Sequence, residues 1–573
     1  MQSSHTIARF KVLTSLAALL ACGCGTQTGG TGSKSDSAAA TGGHTTVPWG
    51  SGGVVASGGS ASTGGFIGGG GQPGSGGIPA TGGSIGADGS ATGGAAAWTT
   101  DGGGGVSSGG LPGTGGRGTG GVLGTGGTSG GTGGVSTGTG GVSTGTGGVS
   151  TGTGGGAGKG SGGTIGAGGA ASTDDPCGPN NPAVVPLPTI AAGTFDVTTY
   201  GAVGDDKTDN TTALQKALSA AGTAGGGTVT VPAGTFLSGP LVVSSGTRLD
   251  LAKGATLKML PKASYPSATA FLTANNAHDI ALTGSGTIDG QGQDWWTAFA
   301  SDSSLARPQE VIFSNSTRVL ISGVRFQNPP EEHIWVKGDK DLTITGITIS
   351  TLATSGKSPP KNTDGVDISA DGVFFCNNSI ECGDDNVAMS GTNIYIGHST
   401  FGVGHGCSIG SITKNGVSKL TVDHLTMIGT TSGIRLKSGR DRGGLVQNLT
   451  YSNITMTNVQ NPIYITSYYP TMPTDPTAET AQATTSTTPY WKDITIKNVT
   501  VTGSTNAGIL WALPEAKIAN LVLDNVRIEA KTGMQIFHAT GVSFINSSTV
   551  TPKSGAAVTI YDADVTGITT TAY

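Results

Sequence analysis

The sequence predicts an all-β fold for residues 182–573, a right-handed parallel β-helix. Short β-rich runs recur in this region, and their first apolar positions lie 21 to 45 residues apart. Within each run, apolar and polar residues mostly alternate, which is the period of a β-strand. Each run opens on a polar residue or a glycine: Asp279, Arg318, Asp341, Gly372, Asn393, Lys419, Asn448, Asp493, Asn520 and Gly541. A repeat of this length, built of strands and turns, is typical of a solenoid.

The spacing of the runs separates this fold from a β-sandwich, the main alternative. A sandwich places turn signals about every 8–12 residues, whereas the shortest interval here is 21. One short helix is expected at residues 212–221, with Asp209 as its cap and the apolar residues Ala213, Leu214, Ala217 and Leu218 on one face. We expect it to cover the N-terminal end of the β-helix, where an exposed strand edge invites aggregation.

Glycine is concentrated in the N-terminal third of the chain. Of 573 residues 104 are glycine, and a Gly-Val-Ser-Thr-Gly-Thr-Gly unit occurs three times, starting at Gly134, Gly141 and Gly148. Such a segment has too few large apolar side chains to offset the entropy cost of ordering. The expected organisation is therefore a signal peptide at 1–21, a lipid-anchor cysteine followed by a disordered Gly-rich tether at 22–181, and the β-helix domain at 182–573.

The N-terminus has the features of an export signal. Arg9 and Lys11 precede an apolar run that is too short to span a bilayer, and the run ends in Leu19-Leu20-Ala21-Cys22. These four residues resemble the lipobox of bacterial lipoproteins, which implies lipidation of Cys22. We expect an exported protein, held at the outer membrane or cell surface by a lipid anchor. An ordinary cleaved signal peptide, giving an extracellular protein, is the alternative.

Charge limits the classes of partner. The formal net charge is −5, only 11% of residues are charged, and no basic block occurs, which argues against nucleic acid. A few cations confined to one cleft would still suffice to bind an anionic polysaccharide. We expect a monomer that requires no cofactor.

Four cysteines fall outside the anchor region: Cys177, Cys376, Cys382 and Cys407. Export permits disulfides, and Cys376 could pair with Cys382 across a turn, but four cysteines allow three connectivities. No Cys/His cluster with zinc spacing accompanies them, so no metal site is expected.

The spacing of ionisable residues brings a site together. Asp364 and Asp385 are 21 residues apart, as are Asp384 and His405. In a coil of that length, such positions stack at about 4.8 Å, the distance between neighbouring strands. Arg435 and Lys437 follow about one coil and a loop later, and strand alternation places both on one face.

Four segments extend this pattern to a known family. Asn362-Thr363-Asp364, Gly383-Asp384-Asp385, Gly404-His405-Gly406 and Arg435-Leu436-Lys437 resemble, in order and spacing, the four motifs of the polygalacturonases, family 28 of the glycoside hydrolases. The segments Gly204–Asp209 and Gly286–Gly290 resemble further runs of pectin-acting β-helix proteins. At the position after Asp385, often cysteine in relatives, this chain has Asn386.

The resemblance implies hydrolysis of α-1,4-galacturonosidic bonds in pectin with inversion. Inversion needs a protonated carboxyl and a water-activating carboxylate about 6.5–9.5 Å apart, and clustering of like charges raises at least one pKa. By similarity, Asp384 is the general acid, Asp364 and Asp385 activate water, and His405 helps Asp384 to hold its proton. Adjacent residues on a straight strand point to opposite faces, so Asp384 and Asp385 share a cleft only if the backbone bends, which we expect at Gly383.

Substrate contacts are implied for four further residues. Arg435 and Lys437 suit the carboxylate of galacturonic acid. Tyr469 resembles the cleft tyrosine of the family, although Tyr468 is adjacent to it, and Asn362 is a candidate for hydrogen bonds to sugar hydroxyls.

Three other functions compete with polygalacturonate hydrolysis. A rhamnogalacturonan hydrolase of the same family is the nearest, and the Arg435 and Lys437 pair favours uniform galacturonate instead. A calcium-dependent pectate lyase shares the fold, and a tethered β-helix could also bind polysaccharide without cleaving it.

Overall fold

The computed structural model describes residues 175–351 and 360–573. The predicted signal peptide, Cys22 and almost all of the Gly-rich segment lie outside these residues. Within the described part, 28 β-strands and two α-helices occur, so the all-β prediction is confirmed. Neither helix in this part is long or apolar enough to cross a membrane.

The strands run from the N-terminal coils to the end of the chain in the following order. The first ten are β1 (Thr194–Asp196), β2 (Asp205–Asp209), β3 (Gly227–Val231), β4 (Gly234–Ser238), β5 (Leu241–Val242), β6 (Thr247–Leu251), β7 (Ala255–Met259), β8 (Leu272–Asn275), β9 (His278–Gly284) and β10 (Thr287–Asp289). The middle nine are β11 (Val311–Ser314), β12 (Thr317–Ser322), β13 (Arg325–Gln327), β14 (Ile334–Thr345), β15 (Thr348–Ser350), β16 (Val366–Cys376), β17 (Ser379–Glu381), β18 (Val387–Phe401) and β19 (Cys407–Ile409). The last nine are β20 (Val417–Ile428), β21 (Ser432–Lys437), β22 (Leu445–Thr457), β23 (Asn461–Thr466), β24 (Tyr490–Trp511), β25 (Ile518–Ile545), β26 (Thr549–Pro552), β27 (Val558–Thr566) and β28 (Thr570–Ala572).

All of these strands pair in parallel with the strand one coil before or after them, which is the arrangement of a parallel β-helix. The register confirms the 21-residue coil at the site, because Val366 pairs with Val387. The pairs form three stacks of strands. One stack, here called the site face, contains β8, β11, the first parts of β14, β16 and β18, and then β19, β21 and β23.

The polar and glycine residues that open the ten predicted runs share one backbone conformation. All ten have φ between 53° and 80°, in the left-handed region. Asparagine, aspartate and glycine tolerate this region best, which accounts for most of the residue types found there. The feature taken from the sequence as a strand start is therefore a stacked corner, at which every coil turns from one face to the next.

The interior of the coils is filled by aliphatic and aromatic side chains in rows. Val366 and Val387 are fully buried one above the other, and Phe375 and Phe401 pack edge to face with ring centroids 6.5 Å apart. Burial of each such side chain contributes roughly 1.5–3 kcal/mol. This packing fixes the coil spacing on which the site depends.

Helix α1 (Thr211–Thr223) lies at the N-terminal end and contacts β1, β3 and β5. It buries Leu214, Ala217, Leu218 and Ala221, and it is slightly longer than predicted. Asn210, not Asp209, occupies the cap position, although Asp209 Oδ1 still accepts a 2.9 Å hydrogen bond from the backbone N–H of Thr211. Helix α2 (Gln293–Ser301) was not predicted; it places Trp295 in the core.

The disulfide joins Cys177 to Cys376, 199 residues apart in sequence. The pairing of Cys376 with Cys382 that the sequence left open is therefore wrong, and Cys382 and Cys407 are buried free thiols. Cys376 lies at the end of β16 with Phe374 and Tyr395 on an outer surface, which Cys177 and residues 183–185 cover. The N-terminal segment is thus attached to the coils five residues before the expected domain boundary at 182.

Candidate active site

The predicted acidic residues lie on three consecutive turns that lead into the site face. Asp364 precedes β16, Asp384 and Asp385 precede β18, and His405 precedes β19. The turns are bonded directly, since Gly365 N–H donates to Asp385 O (2.9 Å) and His405 N–H donates to Asp384 O (2.7 Å). The prediction that 21-residue spacing stacks these residues is confirmed.

Gly383 allows the turn that carries the two aspartates to approach its neighbour. A Cβ at this position would lie 2.0 Å from the carbonyl oxygen of Pro360 and 2.3 Å from Thr363 Oγ1. The turn is fastened at this point because Gly383 N–H donates to Thr363 Oγ1 at 3.0 Å. A side chain here would push the turns apart, so glycine is required for close approach.

Asn386 connects the turn that carries Asp384 and Asp385 to the turn that carries His405, through side-chain hydrogen bonds. Its side-chain Nδ2 donates to the carbonyls of Ile380 and Val403, at 3.1 and 3.2 Å, and its Oδ1 accepts from Gly406 N–H at 2.8 Å. The residue is fully buried. It therefore holds Asp385 and His405 in fixed relation without needing a disulfide.

Asp384 and His405 form a hydrogen-bonded pair open to solvent. Nδ1 of His405 lies 2.8 Å from Oδ1 of Asp384, and 22% of the aspartate side chain is exposed. Burial favours the protonated carboxyl, but the hydrogen bond and charge of His405 outweigh it and lower the pKa of Asp384 below its ordinary value. Asp384 therefore ionises more readily than an isolated aspartate, in spite of its burial.

Asp385 is buried and surrounded by donors. Its Oδ1 accepts hydrogen bonds from Ser408 Oγ and Arg435 Nη1, both at 2.6 Å, and its Oδ2 accepts one from Lys437 Nζ at 2.9 Å. Burial opposes ionisation, but the charges of Lys437 and Arg435 outweigh it and hold the pKa of Asp385 well below its usual range. Asp385 is therefore an ionised carboxylate at neutral and mildly acidic pH.

Asp364 has the opposite electrostatic environment. Burial and the negative charge of Asp384 raise its pKa well above the ordinary value. Its carbonyl oxygen accepts hydrogen bonds from both the backbone N–H (3.0 Å) and ring Nδ1 (2.9 Å) of His333, which is fully buried. His333 was not predicted; burial lowers its pKa to about 3, so it is a neutral donor that fixes Asp364.

The basic pair predicted to bind substrate is on one face of β21, as expected, but both cations contact Asp385. Arg435 and Lys437 are themselves buried, with exposures of 7% and 4%. Tyr469 lies beside them: its ring centroid is 5.1 Å from Lys437 Nζ and 5.8 Å from Arg435 Cζ. Tyr468 instead packs against Trp511 at 6.0 Å, so Tyr469 is the tyrosine next to the basic pair.

Asn362 is turned toward a buried arginine that the sequence did not single out. Its Oδ1 accepts a 3.2 Å hydrogen bond from Arg307 Nη2, and its backbone has φ of 56°, which asparagine tolerates. Arg307 is 2% exposed and also donates to the carbonyls of Pro330 and Lys361. This arginine fixes the turn that leads to Asp364.

A second basic and aromatic pair lies on the site face, one coil before Asp364. Strand register aligns Trp335 with Asp367, Ala388, Ser408 and Arg435 in one outward row. Lys337 Nζ lies 3.2 Å from the centroid of the Trp335 ring. The sequence analysis did not single out this pair. Trp335 and Lys337 are two residues apart, like Arg435 and Lys437, and this spacing could have identified them.

One group of donors at the site has the spread that a metal ion requires. The ligand atoms of Asp384, Asp385 and His405 lie within 4.8 Å of one another. However, both oxygens of Asp385 already bind cationic side chains, and this disfavours a metal ion at the same place.

Neighbouring carboxyl groups, of which one is protonated and another ionised, are the arrangement that glycosidic bond hydrolysis requires. The family described as Glycosyl hydrolases family 28 matches residues 222–550. The chain therefore belongs to this family and is a glycoside hydrolase.

Relatives and solved structures agree with this family. An endo-polygalacturonase of Pectobacterium carotovorum subsp. carotovorum is 34% identical over 376 residues, covering 58% of this chain and 88% of the relative. Endo-xylogalacturonan hydrolase A of Aspergillus tubingensis is 35% identical over 293 residues, covering 48% and 71%. The structure of the polygalacturonase from Erwinia carotovora ssp. carotovora matches with a TM-score of 0.52 and 32% identity, covering 62% of this chain and 98% of that one.

Proposed function

We propose that this glycoside hydrolase cleaves α-1,4-galacturonosidic bonds in polygalacturonate with inversion. The observation that carries the proposal is the contrast within the carboxyl cluster. Asp385 is held ionised by two cations, whereas burial and neighbouring charge keep a proton on Asp364. A site that holds both forms at one pH supplies an acid and a base together.

In this proposal Asp384 is the general acid, with His405 as the residue that holds its proton. The carboxyl of Asp384 is the more exposed of the two adjacent aspartates, at 22% against 4% of the side chain. When Asp384 gives a proton to the leaving oxygen, His405 Nδ1 restores it through the 2.8 Å hydrogen bond. Asp364 and Asp385 activate the attacking water together: the protonated Asp364 holds the water in position, and the ionised Asp385 accepts its proton.

The raised pKa of Asp364 favours a second assignment, in which Asp364 is the acid. In that case Asp384, ionised beside His405, is the carboxylate that activates water. Both assignments use the same three aspartates and predict inversion. They differ in one expected outcome. A substrate whose leaving group needs no proton should restore the activity of a variant that lacks the acid, which is Asp384 in the first assignment and Asp364 in the second.

The substrate proposal rests on the cations of the site face and on the relatives named above. Arg435, Lys437 and Tyr469 lie on the C-terminal side of the aspartates, and Trp335 with Lys337 lies on the N-terminal side. A galacturonate chain bound along the face would find a cation and an aromatic ring on either side of the cut. Asn362, beside Arg307, is proposed to bind sugar hydroxyls.

Incubation with polygalacturonate followed by sizing of the products tests this function. Release of reducing ends without unsaturated, ultraviolet-absorbing products is expected, and it should persist in a chelator, which a calcium-dependent lyase would not allow. Parallel incubation with xylogalacturonan and rhamnogalacturonan ranks the three substrates. Absence of reducing ends from all three would favour a binding protein and would contradict the proposal.

The features outside the described residues complete the proposal. We propose cleavage after residue 21, lipidation of Cys22, a flexible tether that starts at residue 22 and ends before the disulfide-bonded Cys177, and exposure of the monomeric domain at the cell surface. The β-helix is proposed to be right-handed, because crossovers between parallel strands are almost always so. Cys22→Ala should move the protein from the membrane fraction to the soluble fraction if the anchor is real.

A further inference from the structure

A second cluster of ionisable groups lies on a corner of the β-helix that the proposed reaction does not use. It consists of His398, Asp423 and His424, whose potential ligand atoms all lie within 4.8 Å of one another. The two histidines follow Gly397 and Asp423, which pair in register on adjacent coils. The cluster is thus built by the coil repeat and not by a loop.

The histidines occupy a stack of positions that holds asparagine on the two neighbouring coils. His398 and His424 have φ of 48° and 52°, and the neighbouring coils place Asn377 and Asn453 at the same corner with φ of 60° and 56°. Asparagine is the residue that best tolerates this conformation. Two successive histidines here replace the residue that the backbone favours.

The side chains are arranged with their rings together and a carboxylate at their edge. The ring centroids of His398 and His424 are 4.6 Å apart, and the planes differ by 12°. Nδ1 of His424 lies 2.7 Å from Oδ2 of Asp423. Oδ1 of Asp423 accepts hydrogen bonds from Ser452 Oγ (2.6 Å) and Asn453 Nδ2 (2.8 Å), so the carboxylate is fixed in place.

We propose that His398, His424 and Asp423 form a surface site for a divalent transition metal of the zinc class. Two imidazoles and one carboxylate are a ligand set that suits Zn²⁺, Ni²⁺ or Cu²⁺, with water completing the coordination. Two nitrogens on one tetrahedral Zn²⁺ lie about 3.3 Å apart, so modest rotation of the two rings brings them into place.

The position of the site indicates what a bound metal would do. Asn377, one coil below His398, directly follows Cys376 of the disulfide to Cys177, and the charge of Asp175 acts on His398. The ion would cross-link two adjacent coils close to the point where the N-terminal segment joins the domain. Because it binds only the folded arrangement, it would stabilise the domain.

Calorimetric titration of the full chain with Zn²⁺ at pH 7.5, after removal of bound metals, tests this site. The structure predicts that His398→Asn and His424→Asn each lower the stoichiometry by one ion or weaken that binding step at least about 100-fold. Asparagine keeps the backbone conformation of the stack. Zn²⁺ should also raise the melting temperature of the parent more than that of either variant.

Two matched variants separate this site from other donors. His278, like His424, contacts the carboxylate of a residue adjacent in sequence, with Nδ1 2.9 Å from Oδ2 of Asp279, but no second histidine ring lies beside it among the described residues. His278→Asn should therefore leave Zn²⁺ binding unchanged. Asp384→Asn removes one of the three donors of the catalytic cluster and should also retain the Zn²⁺ binding step assigned to His398 and His424. Donors in residues 1–174 are common to every variant and cancel in the comparison.

Electron paramagnetic resonance of the Cu²⁺ form gives a readout that does not depend on affinity. Coupling to two imidazole nitrogens is expected in the parent and to one in each variant. Equal Zn²⁺ stoichiometry and affinity in the parent and both histidine variants would overturn the proposal. Cu²⁺ spectra without two coupled nitrogens in the parent would overturn it as well.

Discussion

Lys437 and Asp385 form a buried ion pair, with Nζ 2.9 Å from Oδ2, and Arg435 holds the other oxygen of the same carboxylate at 2.6 Å. The sequence had assigned the two cations to the substrate and the aspartate to water. In the structure, they constitute one unit. The charge state of Asp385 therefore depends on the residues expected to recognise galacturonate.

Arg435→Gln should consequently change the pH dependence as well as binding. Loss of a cation raises the pKa of Asp385, so the ionised form is lost at a higher pH and the acidic limb of kcat/KM moves upward. We expect kcat/KM at the optimum to fall by about 10²-fold or more, as for other lost electrostatic contacts in active sites. A pH profile on polygalacturonate measures both effects. A raised KM with an unmoved acidic limb would mean that Arg435 contacts substrate alone.

His405→Asn should reduce kcat far more than it changes KM. The imidazole holds the proton that Asp384 delivers, and general acid catalysis is typically worth 10²–10⁴-fold. We expect kcat to fall by about 10²-fold with KM within threefold of the parent, measured by initial rates of reducing-end release. The control is His278→Asn, a surface histidine beside Asp279, which should have parent kinetics. A loss confined to KM would contradict the proton-holding role.

Trp335→Ala and Lys337→Met should weaken substrate binding on the N-terminal side of the aspartates. The Trp335 ring and the Lys337 ammonium face outward one coil before Asp364. We expect KM to rise about tenfold for each, because contacts of this kind contribute roughly 1–2 kcal/mol. Binding of oligogalacturonates to the same variants in an Asp384→Asn background isolates affinity from catalysis.

Lys340→Met is the matched control, since Lys340 lies on the same strand β14 but pairs on the neighbouring face. It should bind oligogalacturonates like the parent. Equal affinity of the Trp335 and Lys337 variants and this control would exclude a substrate contact at that end.

Asp339→Asn should make unfolding less dependent on pH. Burial raises the pKa of Asp339 to about 7, against the hydrogen bond from Ser316 N–H to Oδ1, while the unfolded value is about 3.9. The folded state thus binds this proton more tightly, and its stabilisation is full below pH 4 and lost as pH rises toward 7. The free energy of unfolding falls by about 1.4 kcal/mol per pH unit for each such proton.

Asparagine retains the Oδ1 acceptor and cannot ionise. Denaturant unfolding of the parent and Asp339→Asn from pH 4.5 to 7.5 should show a slope smaller by one proton in the variant. Asp371→Asn, at an exposed carboxylate on the neighbouring coil, is the control. Identical slopes in parent and Asp339→Asn would show that this carboxyl does not titrate as described.

The sequence predicted the parts of the fold and site that follow from one coil length. Asp364 stacks on Asp385 and Asp384 on His405 because both pairs are 21 residues apart and no loop intervenes. Contacts across longer, irregular gaps were not accessible in this way. Arg435 reaches Asp385 across 50 residues, and Cys177 reaches Cys376 across 199, through loops whose lengths follow no repeat.

The electrostatic environments of the three aspartates also differ, and their spacing in sequence does not predict this difference. Asp384 and Asp385 are adjacent in sequence, yet Asp384 contacts a partly exposed imidazole and Asp385 contacts two buried cations. The raised pKa of Asp364 arises from burial beside Asp384, and its fixed carbonyl depends on His333, which no motif marked.

Delivery of the proton by Asp384 can be measured through the leaving-group dependence of Asp384→Asn and Asp364→Asn. Each variant is compared with the parent on polygalacturonate and on an aryl oligogalacturonide whose phenolate needs no protonation. We expect Asp384→Asn to lose at least about 10³-fold of kcat/KM on polygalacturonate and to recover most of that loss on the aryl substrate, whereas Asp364→Asn should recover none. Parent-like release of reducing ends by Asp384→Asn, or relief in Asp364→Asn alone, would contradict it.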